Sequence, residues 1–213
     1  MRRRLPPEKR KAEILAAARH GFLARPYGEV QVDEVAREAG ASRALVNHYF
    51  GDKRGLFLAV AREIVERVPT VVRTDFTDLP VEEMVDANTA AWLDAVESGS
   101  AAFLAFAGGG PIGRDPELEA LQDELRNRIA ARMLSNHLGT SGVTPAALFT
   151  MRAALGMMER AVVDWIGGRG GTRAQTHALI ANGILATIRT VLPAVEAAES
   201  AAPGDDDALE PKL

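Results

Sequence analysis

Apolar positions recur along most of this chain at three- and four-residue intervals, and glycine or proline separates the runs they form. Ile14, Ala17, Ala18 and Phe22 make one stripe on a helix predicted from about Pro7 to Leu23, which Pro26 and Gly28 end. A short helix follows from about Val32 to Ala39, with Val32, Val35, Ala36 and Ala39 on one face. Gly40 breaks it, and the next helix opens at Ser42 with Val46 and Phe50 as buried anchors four residues apart. Asp52, a good N-cap, starts a helix that reaches about Val68, just before Pro69. The second half repeats this punctuation. Helices are predicted from Val81 to Ser98, from Ser100 to Ala107, from Asp115-Pro116 to about Leu138, from Thr144-Pro145 to Ile166, and from Thr172 to about Ala198. Alternating runs are short and aromatic residues few, so strands are not expected. The predicted fold is all-α, with about nine helices and no internal repeat.

The same punctuation suggests an organisation. Residues 1–51 form a three-helix unit with a helix-turn-helix, 52–68 a connecting helix, 69–200 a larger helical bundle, and 201–213 an acidic tail, rich in aspartate at Asp205 to Asp207, that is expected to be disordered. A chain of 213 residues can bury a core without staples. It contains no cysteine, which excludes disulfides, thiolate metal sites and cysteine nucleophiles. Arg2, Arg3 and Arg4 are not followed by an apolar segment of the kind a signal peptide needs, and no apolar run is read as approaching the roughly 20 residues of a membrane span. The expectation is a cytoplasmic protein with no membrane partner.

The net charge of −4 conceals an asymmetry: residues 1–67 carry 14 Lys/Arg against 9 Asp/Glu, and the remainder 11 against 20. A basic head on an acidic body is what a nucleic-acid binder with a separate second domain would show. The geometry of residues 31–57 sharpens this. Gly40 supplies the positive φ that a tight inter-helix turn needs. Ser42 can cap the second helix, and burial of Val46 and Phe50 leaves Arg43, Ala44, Leu45, Asn47, His48 and Tyr49 on outward or flanking surfaces. A short helix with such a polar face fits a major groove.

The run AREAGASRALVNHYFGDKRGLFLAV in these residues resembles the signature of the TetR family of transcriptional regulators: an A-x-x-A-G turn, a recognition helix ending in H-Y-F, and a K-x-x-L helix start. The likeness is strong from about Val32 to Val60, and Val30-Gln31 stands where that family usually has Thr or Ser. The resemblance implies a sequence-specific DNA-binding regulator that acts as a homodimer on a palindromic operator, a repressor released by a small, largely apolar ligand. It implies base reading by Arg43, which can pair with a guanine edge through two bonds. Ala44 and Leu45 would meet thymine methyls or sugars, and Asn47 an adenine or a phosphate. His48, Tyr49 and Lys53 would hold phosphates, and Arg3 and Arg4 would form a minor-groove arm.

The family also implies a dimer interface from the last two helices. Leu148, Met151, Leu155, Met158, Val162 and Trp165 make a regular seam on the first of these, and Ile180, Gly183, Ile184, Thr187 and Val191 a stripe on the second. For a ligand pocket, Met84, Asn88 and Trp92 share one helix face, Phe103 and Phe106 lie beside the break at Gly108 to Pro111, and Met157 and Met158 lie opposite. Asn88 or Arg152 would meet a polar group of the ligand.

Other chemistries find little support. Gly108 to Gly113 fits G-x-G-x-x-G, but no βαβ pattern surrounds it and Pro111 removes an N–H that a phosphate would need. His20, His48, His137 and His177 are too scattered for a metal site, and Ser42 has no catalytic partners, so neither an enzyme nor a cofactor is expected. The alternative is a DNA-binding architectural protein with no small ligand.

Overall fold

The structure, a computed structural model, describes residues 6–67, 79–99, 115–138 and 143–201, and these are helical without a strand. The first three helices are α1 (Pro7–Ala24), α2 (Val32–Glu38) and α3 (Arg43–Phe50), with a 3₁₀ turn at Tyr27–Glu29 between α1 and α2. After α4 (Lys53–Arg67) and α5 (Val81–Ser98) come α6 (Pro116–Leu138) and α7 (Pro145–Ile166). The chain ends in α8 (Arg173–Ala186), a π-helical turn (Thr187–Val191) and α9 (Leu192–Ala201), which follow one another without a break. Several sequence expectations lie outside the described residues: the arm at Arg3 and Arg4, the helix Ser100–Ala107 with Phe103 and Phe106, the motif Gly108 to Gly113, and the tail from residue 202.

Local chemistry fixes the helix starts. Ser42 Oγ accepts from Leu45 N–H at 3.2 Å, Asp52 from Gly55 N–H at 2.8 Å, and Thr144 Oγ1 from Ala147 N–H at 3.1 Å. Asp115 accepts from the N–H groups of Glu117 and Leu118 at 3.1 and 3.2 Å. Thr172 and Gln175 form a reciprocal capping box. Gln31, where the family resemblance would place Thr or Ser, makes no side-chain cap. The π turn also has a cause: Pro193 lacks an N–H and its ring crowds the carbonyl four residues back, so the helix widens and Leu192 N–H donates to Thr187, five residues earlier.

Two cores result. The N-terminal one gathers Ile14, Ala18, Phe22, Val35, Val46 and Leu56 from the first four helices, and it does not stop there: Leu118 and Leu121 of α6 complete it. The C-terminal core joins Val85 and Leu93 of α5, Ala130 and Leu134 of α6, Met151, Leu155 and Val162 of α7, and Ile180 and Ile184 of α8. Helix α6 therefore takes part in both. The expectation that no apolar run is long enough to span a membrane is corrected: Arg173–Ser200 is one apolar helical rod of 28 residues, sufficient by length and composition alone. The reading missed it because isolated polar residues break the run. Only 28% of its most apolar window is buried within the chain.

Candidate nucleic-acid interface

Helix α3 is held by little and shows much. Val46 is its one fully buried residue, with Leu45, Tyr49 and Phe50 half-buried against the same core. Arg43, Ala44, Asn47 and His48 are exposed. Two glycines make this pose possible: Gly40 at φ 61° turns α2 into α3, and Gly51 at φ 79° turns α3 into α4, a region L-residues avoid. Of the residues expected to face DNA, Arg43, Ala44, Asn47 and His48 thus lie on the outward side of a capped two-turn helix, while Leu45 and Tyr49 lie at its edge, partly packed on the core.

Neighbouring groups hold two of the candidate DNA contacts, Arg43 and Lys53. The Arg43 guanidinium donates to Asp33 of α2 at 2.7 Å, an exposed pair. Lys53, at the start of α4, lies 4.5 Å above the Tyr27 ring and donates to the Gly28 carbonyl at 3.2 Å. Partial burial lowers the Lys53 pKa from its ordinary value. Tyr27 is fixed by Phe22, stacked at 5.7 Å, and by the edge of Phe57 at 5.2 Å; burial, followed by the charge of Asp52, raises its pKa. Neither Asp33 nor the Tyr27 platform was found in the sequence. Both join residues of different elements, and no short-range periodicity records such a pairing.

Further polar contacts tie the three-helix unit together and to α4. Arg10 donates to the Ala39 carbonyl at 3.0 Å, Arg25 to Glu34 at 2.7 Å, and Arg19 to Glu63 at 2.6 Å. At the far side of α4, Arg54 forks onto Asp115 with contacts of 2.5 and 2.8 Å, and Glu117 accepts from both Arg54 and Arg62. Hydrogen bonding from Arg54 holds the Asp115 carboxyl below the usual carboxylate range, and Asp115 in turn raises Arg54. The connecting helix is clamped by charge to the first turn of α6.

The candidate pocket and interface residues fall differently. Met84 and Met158 are buried, Asn88 is half-buried and donates to the Met84 carbonyl at 3.0 Å, and Trp92 packs on the C-terminal core. Arg152 and Met157 are exposed. The seam expected to meet a partner helix is occupied by the chain itself: Met151, Leu155, Val162, Ile180 and Ile184 are buried in its C-terminal core, with Leu148 and Trp165 packed against them. Thr187 is buried too, its hydroxyl donating to the Gly183 carbonyl at 2.7 Å, and only Val191 remains exposed. Regular spacing marks a face that is covered, but not by which chain. The open face is the other one, where Phe149, Ala153, Gly156 and Met157 of α7 run beside Leu179, Asn182, Gly183 and Ala186 of α8. Met157 Cε sits over Gly183 in the space a Cβ would fill.

Residues 14–60 match the family model described as bacterial regulatory proteins, tetR family. The HTH-type transcriptional repressor AcnR of Corynebacterium glutamicum is 41% identical over 66 residues, a match covering 31% of this chain and 35% of that protein. The chain thus matches about a third of this curated relative's length. Among solved structures, a tetR-family transcriptional regulator from Streptomyces coelicolor superposes with a TM-score of 0.67 at 24% identity, covering 94% of this chain and 93% of its own. The transcriptional regulator FadR from Bacillus subtilis, solved in complex with stearoyl-CoA, superposes with a TM-score of 0.57 at 14% identity over 84% of this chain and 98% of its own. At these identities the likeness concerns the fold.

Proposed function

We propose, from the match of residues 14–60 to the tetR family model, that the chain is a sequence-specific DNA-binding repressor released by a small, largely apolar effector. The observation that carries the reading is α3: a capped helix, anchored by Val46, that turns Arg43, Asn47 and His48 outward together. In the groove Arg43 reads a base edge, Ala44 and Leu45 line apolar surface, and Asn47 reads a base or holds a phosphate. His48, Tyr49 and Lys53 fix register on the phosphates, with Arg3 and Arg4 as a minor-groove arm. The Lys53 ammonium over the Tyr27 ring supports this role, because it holds the charge at the edge of the unit. A DNA target implies a cytoplasmic protein.

A single helix of this size makes few base contacts, so the active species is a homodimer on a palindrome, its two α3 helices about 34–36 Å apart in successive major grooves. The open α7–α8 face receives the second copy. It is apolar and rich in small residues that permit close approach, and α8 belongs to the rod that the chain leaves largely uncovered. The buried seam serves as its support.

Release follows from α6. This helix packs against α4 in the N-terminal core and against α7 in the C-terminal core, and its first turn grips α4 through Asp115 and Glu117. An effector bound among the C-terminal helices that favours a shifted α6 also shifts α4, and with it the spacing of the α3 pair. The extent of release is limited by the difference in effector affinity between the two arrangements. Selection from a pool of random-sequence duplexes tests the reading. One enriched palindrome is expected, and salt-sensitive binding with no enriched sequence would overturn it.

A further inference from the structure

The C-terminal part of this protein has more carboxylates than cations, 20 against 11 from residue 68 onward, and its arginines use them. Arg126 is bound to Glu159 and Asp123, Arg128 to Glu124, and Arg160 and Arg169 share Asp164. Arg173 meets Asp94 and Glu97, and Arg189 meets Glu82. Among the described residues Arg152 also lacks a carboxylate partner, but it is exposed; Arg132 of α6 is the case that is not exposed. Its side chain is half-buried, its Nε is fully buried, and that atom has no hydrogen-bond partner. Among the described residues the guanidinium has no carboxylate beside it. The other half-buried arginines of this region, Arg126 and Arg173, are both paired.

This exception is costly. A guanidinium cannot shed its proton, so burial cannot neutralise it, and a desolvated donor without an acceptor opposes folding. A fold with carboxylates to spare has nonetheless left this cation open. Its five donors form a planar fork that suits the paired oxygens of a carboxylate, phosphate or sulfonate. The surroundings are apolar: Arg132 continues the α6 stripe of Leu118, Leu121, Leu125 and Ile129, and Ile129 and Met133 are only partly covered by the C-terminal core.

We propose that Arg132 receives the acid group of a small organic anion whose apolar body lies along α6 at Ile129, so that the effector is an amphipathic acid. The assignment rests on the effector-binding reading of the C-terminal helices and names the chemistry of what they bind. It also places the ligand's charge on the helix that grips α4. Arg132 and Asp115 are 17 positions apart, about 26 Å along one helix.

Two fluorescent probes with the same aromatic body separate charge from apolarity: 8-anilinonaphthalene-1-sulfonate, which carries an acid group, and N-phenyl-1-naphthylamine, which does not. Each is titrated into the full chain as wild type, Arg132→Gln, Arg132→Lys and, as a control on the exposed surface of the same helix, Arg128→Gln. Arg132→Gln is expected to weaken the sulfonate by about tenfold or more, the value of a charge-assisted hydrogen bond, while leaving the neutral probe within about twofold. Arg132→Lys, which keeps the charge but not the fork, should fall between wild type and Arg132→Gln, and Arg128→Gln should keep the full sulfonate affinity. Because an unpaired charge is removed, Arg132→Gln should melt no lower than wild type. Equal sulfonate binding in wild type and Arg132→Gln would overturn the assignment. So would parallel loss of both probes with a lowered melting temperature, which would make Arg132 structural. DNA selection is read independently: an enriched palindrome together with charge-blind probe binding would remove the Arg132 assignment and leave the repressor reading intact.

Discussion

Asp33 offers a test of how the recognition helix is held before it meets DNA. In the free protein its carboxylate takes the Arg43 guanidinium at 2.7 Å, with the two side chains 56% and 60% exposed. A pair this exposed contributes about 0.2–1 kcal/mol. If Arg43 must leave Asp33 to reach a base edge, that amount is subtracted from binding at each half-site. Asp33→Asn removes it, for a gain of about 1.4- to 5-fold per protomer and, with two protomers on a palindrome, about 2- to 30-fold per dimer. Asp33 also sits in the first turn of α2, where its charge complements the helix dipole by about 0.3–1 kcal/mol. The variant should therefore melt lower by about 1–8 °C while binding more tightly. The assay is fluorescence anisotropy on the selected duplex with wild type, Asp33→Asn, Arg43→Ala and the double variant. In the Arg43→Ala background the gain from Asp33→Asn should shrink to the diffuse effect of one fewer negative charge near the phosphates, and that remainder should fade with salt. Weaker binding by Asp33→Asn would refute the reasoning, because it would mean that Asp33 holds Arg43 in its reading position. An equal gain with and without Arg43 would refute it as well.

Three further outcomes are expected. Ser42→Ala removes the cap of α3 and should cost about 0.5–2 kcal/mol of stability by thermal melting, with DNA affinity lowered at unchanged dimer mass. Leu179→Arg puts an unpaired cation on the open α7–α8 face, and light scattering should show monomers at concentrations where wild type is dimeric, while circular dichroism keeps the helical signal. Arginine partners hold Glu82, Asp115 and Asp164 below their ordinary pKa values. A carboxylate depressed in the folded state contributes stability that is complete above its unfolded pKa, so melting temperature should stay level from neutral pH to about 5. It should then fall as the pH passes through about 4 and lower. A melting temperature that rose on acidification would contradict these pairings.

What the sequence revealed depended on how local the controlling physics was. The caps at Ser42 and Asp52 act over three residues, and the stripe Ile14, Ala17, Ala18, Phe22 acts over two turns, so both were legible. So was the outward set on α3, because burial of Val46 fixes the opposite face. The seam from Leu148 to Trp165 was legible as a buried face and misread as to its partner, since a spacing of three and four is the same whether α8 of this chain or of another covers it. Asp33 with Arg43, Lys53 with Tyr27 and Arg54 with Asp115 are tertiary meetings, the last across 61 positions. Nothing in the local pattern distinguishes those residues from other surface charges. The π turn was within reach: Pro193 inside an apolar helical run required some local adjustment there.

The central claim is that two copies of this chain read one palindrome through paired α3 helices on the same side of the duplex. Sedimentation of the protein with the selected duplex, and with versions carrying five or ten extra base pairs between the half-sites, tests it most directly. The account predicts two protomers on the parent duplex and loss of tight binding when half a turn is inserted, because the second α3 then faces away from its groove. A full turn keeps both half-sites on the same side but beyond the dimer's reach, so it should leave only the affinity of a single half-site. One protomer per duplex, bound equally well at every spacing, would contradict it.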